Sequence, residues 1–214
     1  MLTVEASTPC DDQPIDAASL MGENRFLTSW ITPDNLEIQE KYDELTQGLQ
    51  TQEQRITALW QYVKDIPYTR FVSSRVNVGG RSFARQDTWL DPAQCLLAPK
   101  LNCFNKSVLL ASLLRQDLSE NQVYVCLNNV QVDGVDGHAV TYLKLGEDYL
   151  LETTNPNIAS PFLKARVMDA YEAVMWFTDS KVSYVPGISL REIGLCCVAW
   201  LEQYINEKLC TEYV

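Results

Sequence analysis

Histidine is nearly missing from this chain: His138 is the one imidazole in 214 residues. Seven cysteines are present, yet no two are spaced as Cys-x-x-Cys. Structural zinc sites draw several Cys or His ligands at short spacings, so neither a metal nor a cofactor is expected. Basic charge is also short, with 17 Lys and Arg against 28 Asp and Glu and a net charge of −11. Nucleic acid and anionic membrane surfaces both require a basic face, and neither is expected as a partner. No apolar run approaches the ~20 residues of a membrane-spanning helix. The opening text, MLTVEASTPCDDQP, lacks a basic start followed by an apolar stretch, so no secretory signal is read there. A cytoplasmic location with reduced thiols is therefore expected. The cysteines, Cys10, Cys95, Cys103, Cys126, Cys196, Cys197 and Cys210, are odd in number and irregular in spacing, which argues against a disulfide framework. Gly79-Gly80 lacks the GK[ST] text of a phosphate loop.

What is present is an ordinary balance, 46% apolar and 21% charged, long enough for one sizeable core. Residues 1–35 are rich in Pro and Asp with weak periodicity, and read as an irregular N-terminal segment. A helix follows, with Thr32 as its N-cap and Pro33 behind it. The next, TQEQRITALWQYVKDI, puts Ile56, Leu59, Trp60 and Val63 on one face, and Pro67 ends it. Residues 68–100 read as a long connection carrying Arg70, Arg75, Arg81 and Arg85. Arg81 and Arg85 are candidates for binding a carboxylate-bearing substrate; the alternative is a solvated loop. From Asn102 to about Gln116 the text is apolar nearly all round, which predicts a buried helix. QVYVCLN (122–128), HAVTYLKL (138–145) and YLLETT (149–154) read as strands, the last two as a hairpin. SLREIGLCCVAWLEQYINEKL (189–209) reads as an amphipathic helix.

Chemistry concentrates at three of these positions. Cys103 opens the buried helix, where unpaired N–H groups favour a thiolate and face a developing oxyanion. The nucleophile needs a base, and His138 opens a strand after a Gly-containing loop. The base needs an orienting partner on its second nitrogen. With a turn near Gly146, His138 faces positions 154 to 156 and Glu152 is its diagonal neighbour, within side-chain reach. Asn155 is the alternative orienter.

In that order, CFNKSVLLASLLR, HAVTYLKL and LLETT, with ALWQYVKDIPYT upstream, resemble the transglutaminase-like superfamily of papain-like cysteine enzymes. The resemblance covers roughly residues 55–156. It implies an α+β fold in which a buried helix carrying the Cys packs on an antiparallel sheet carrying the His and the acid. Residues 36–214 then form a single transglutaminase-like domain with a C-terminal amphipathic helix. The implied catalytic residues are Cys103, His138 and Glu152, with Gln94, Gln86 and Trp89 as alternative oxyanion donors. The implied activity is acyl transfer on an amide or isopeptide bond through a thioester, hydrolytic rather than crosslinking, with a peptide or protein substrate. An arylamine N-acetyltransferase-like protein shares the order of Cys, His and acid, but the RGG.CFE text is missing. A non-catalytic module that binds protein or peptide partners is the alternative from another class.

Overall fold

Residues 27–69, 74–78, 81–85, 89–131, 135–164 and 171–184 are described by a computed structural model. They form an α+β unit with one six-stranded antiparallel sheet. A 3₁₀ turn at Leu27–Trp30 leads into α1 (Leu36–Thr46). The N-cap of α1 is Asn35 rather than Thr32, because the Asn35 side chain accepts from Ile38 N. An Asn oxygen satisfies a first-turn donor well, and Pro33 falls before the helix. α2 (Gln52–Asp65) begins with a capping box in which Thr51 and Gln54 each accept from the other's backbone N–H. Its buried face is Ile56, Leu59, Trp60 and Val63.

The described parts of the stretch read as a long connection include two strands and a helix. β1 (Ser74–Val78) and β2 (Arg81–Arg85) form an antiparallel hairpin whose register pairs Val78 with Arg81. α3 (Pro92–Leu97) starts with Pro at its first turn. Gly and Arg content reads as loop, whereas the alternation of Val76, Val78 and Phe83 carries the strand signal.

α4 (Cys103–Leu114) is buried at all twelve positions. It packs on β3 (Val123–Gln131) and β4 (Val135–Leu145), with α1, α2 and α3 against its other sides. Surrounded in this way, it has no solvated face, which explains its all-round apolar text. β5 (Glu147–Leu151) returns from β4 through Gly146, whose φ of 78° lies in the left-handed region that glycine adopts at no steric cost. β6 (Leu163–Lys164), β7 (Tyr171–Phe177) and β8 (Val182–Tyr184) complete the sheet in the order β6-β5-β4-β3-β7-β8. The register of β3 on β7 shifts between Leu127 and Asn128.

Ion pairs fix α4 beyond its apolar contacts. Arg115, its C-cap, makes a two-pronged contact to Asp179 at 2.8 and 2.7 Å, which ties the helix to the end of β7. Arg55 of α2 meets Asp117 just after the helix at 2.7 Å.

Among the described residues no helix is long and apolar enough to cross a membrane. The helix read at 189–209 lies outside the described residues, as do Cys10, Cys196, Cys197, Cys210 and the first 26 residues.

Candidate active site

Asn102 caps α4 by accepting from Asn105 N at 2.8 Å, which fixes where the helix begins and so where Cys103 stands. The adjoining segment is fixed in turn. Asn105 Oδ1 accepts from Leu90 N at 2.9 Å, and the Trp89 ring stacks on Phe104 at 3.8 Å with 13° between planes. Trp30 meets both rings edge-on. An aromatic group therefore flanks the residue next to Cys103.

His138 lies on β4, and its ring hydrogen-bonds both Cys103 and Glu152. Nε2 is 2.8 Å from Glu152 Oε2. The β4–β5 register pairs Thr141 with Leu151. Extended past the end of β5, it sets His138 opposite Thr154, with Glu152 one pleat before it.

The carboxylate is rigidly held. Glu152 is 1% exposed. Its Oε1 accepts from Thr154 N at 2.5 Å, Thr154 Oγ1 at 2.7 Å and Asn155 N at 3.3 Å, which leaves Oε2 for the imidazole. Its backbone oxygen accepts from Trp60 Nε1 at 2.8 Å. Asn155 serves the acid through its backbone, while its side-chain oxygen accepts from Asn157 N.

The electrostatics favour a charged imidazole. Burial alone would push His138 down, but hydrogen bonds and charge from Cys103 and Glu152 outweigh it and push the ring up from 6.5 to about 10. The other two described cysteines are Cys95 and Cys126. Burial raises both thiols, Cys126 to about 12, which keeps them protonated and inert.

Of the three oxyanion candidates, Trp89 lies beside the site, and its buried Nε1 has no hydrogen-bond partner. Gln94 is exposed and directs its Oε1 to Asp91 N, capping α3. Gln86 lies outside the described residues. Arg81 and Arg85 lie on β2, opposite Val78 and Ser74. Their side chains, like Arg70, lie outside the described residues. No group of three or more His, Cys, Asp or Glu that could hold a metal occurs among the described residues.

The sequence reading gives three residues at this site no part in it: Trp60, Thr154 and Lys106. Trp60 reads from periodicity as core, and only its indole nitrogen gives it a second role. Lys106 carries a usable signal, one charge inside an otherwise uncharged buried helix, where an unpaired ammonium is rarely buried.

No family model matches the sequence, and no curated protein matches it. Among solved structures the chain is similar to LapG of Legionella pneumophila. The TM-score is 0.47 at 14% identity, over 74% of this chain and 94% of that one. Calcium-bound LapG gives 0.42 at 15% identity, over 70% and 89%. EGTA-treated LapG gives 0.42 at 16%, over 70% and 87%. Likenesses of this size assign neither a family nor an activity.

Proposed function

We propose that this chain is a cysteine-dependent acyl-transfer enzyme of transglutaminase-like type. It acts on an amide or isopeptide bond of a peptide or protein and hands the acyl group to water. The observation that carries this reading is the continuous hydrogen-bonded series from Cys103 through His138 to Glu152.

In this reading Glu152 holds the His138 ring and balances its charge, and the imidazolium balances the thiolate of Cys103. The sulfur attacks the substrate carbonyl, and the π electrons move to oxygen. Backbone N–H groups at the start of α4 face that oxyanion, and Trp89 Nε1 is the side-chain candidate for a second donor. As the tetrahedral adduct collapses, the C–N bond breaks and His138 gives its proton to the departing amine. His138, now neutral, takes a proton from water, which attacks the thioester. Collapse then releases the acid and restores the ion pair.

The test is an acyl-enzyme burst with p-nitrophenyl acetate. One equivalent of nitrophenolate per chain is expected, with acetyl found on Cys103, and no burst in Cys103→Ser. Slow turnover without a burst would remove the nucleophile from this account. Adding a primary amine separates the two acceptors: unchanged breakdown of the acetyl-enzyme fits hydrolysis, whereas acceleration with amide formation marks transamidation.

A further inference from the structure

Lys106 is a buried ammonium in the first turn of α4, 1% exposed. It lies three residues after Cys103, about one helical turn along α4. Its Nζ donates to Val63 O at 3.0 Å, Lys64 O at 3.0 Å and Thr153 O at 3.2 Å. An ammonium has three donors, and all three are used. Two of these carbonyls belong to the last turn of α2, where helix oxygens have no intrahelical partner. The third belongs to the residue directly after Glu152.

A side chain of this kind is a costly way to fill a core, since an apolar residue of similar volume generally does so at lower cost. What the charge adds is a junction. One ammonium joins the nucleophile helix, the end of α2 and the segment that bears the acid. Trp60, also on α2, holds the Glu152 carbonyl from the same side. The acid-bearing segment is thus clamped from two helices, while its carboxylate is aimed by Thr154.

We propose that Lys106 is a positioning residue: from the nucleophile helix it holds the 152–154 segment so that the Glu152 carboxylate meets His138. This deepens the reading of Cys103, His138 and Glu152 as a working site. The charges around the ammonium are consistent with the role. Burial lowers Lys106 to about 8, Glu152 and Asp65 favour its charged form, and Lys64 opposes it.

The chain's single histidine makes the test direct, because one imidazole titration by NMR reports His138 alone. Lys106→Met keeps the length of the side chain and removes the clamp. If Lys106 positions the acid, the His138 midpoint falls by a pH unit or more, since the ring loses its carboxylate. If Lys106 only fills space or only adds charge, the midpoint stays or rises, because a nearby cation has gone and the acid has not moved. Either of those results overturns the proposal. Val108→Ala, elsewhere in the same helix, should lower the melting temperature without moving the midpoint. Should Lys106→Met not fold, Lys106→Leu, which likewise removes every donor, is judged by the same criterion. A raised parent midpoint with a slow Cys103 thiol would end the enzyme reading and leave this inference standing. A parent midpoint near 6.5 would end both.

Discussion

Glu152 uses one carboxylate oxygen on backbone and hydroxyl donors and the other on the imidazole. Replacing it with Gln removes the anion but keeps the shape. Glu152→Gln is expected to bring the His138 midpoint down from about 10 and to slow alkylation of Cys103; a loss of about 10- to 100-fold is usual for a group that acts by orienting another. The same substitution makes a signed prediction for stability. A group whose folded value is raised stabilises fully below its unfolded value, and that contribution is lost as pH rises through the folded one. The deficit of Glu152→Gln, on the order of 3 kcal/mol for one broken buried pair, should therefore be complete near pH 6.5 and close as pH approaches 10. Urea unfolding of both proteins at the two pH values measures it. At this scale the sequence singled out three residues whose side chains the fold brings together, since a thiol at a helix start, a lone imidazole and a nearby acid are chemically distinctive. Lys106 stood out only as a lone charge and Trp60 only as core; their partners were not legible, because a long-range hydrogen bond to a backbone carbonyl leaves no mark on local text.

At the scale of elements, α4 does two jobs that separate experimentally. Its apolar body supplies the core, and its first turn supplies the site. Leu109→Ala, at a fully buried position, is expected to cost about 2–5 kcal/mol by leaving a cavity, while folded protein keeps its Cys103 reactivity. Trp60→Phe on α2 should change the site as well as the stability. It keeps the ring in the core and strands the Glu152 carbonyl, a loss of about 1–3 kcal/mol that should come with a lower His138 midpoint. α2, α4 and the β4–β5 hairpin were legible because each is built from local periodicity or from one turn. The β1–β2 hairpin was missed because its Gly pair and arginines outweighed a short alternation. The cap of α1 moved from Thr32 to Asn35 because both are good capping residues, and local text ranks them poorly.

Across the whole molecule, sequence-distant contacts hold the site's frame. The sheet is completed by β7, which pairs with β3 from far along the chain and does so across a register shift. Nothing in the text of either strand names the other, so the strand order was not legible. The Arg115–Asp179 contact ties α4 to the end of that distant strand at groups 15% and 18% exposed. Arg115→Ala should reduce stability by roughly 2 kcal/mol in urea unfolding and leave the first turn of α4, and so the thiol, unchanged. The central claim is that His138 makes one of this chain's thiols chemically different from the rest. Competitive alkylation with iodoacetamide at near-neutral pH, read by mass spectrometry at each cysteine, tests it most directly. Cys103 should be modified at least about tenfold faster than Cys95 and Cys126, whose burial keeps them protonated, and His138→Ala should abolish the difference. Equal, slow labelling of all the cysteines in the unaltered protein would contradict it.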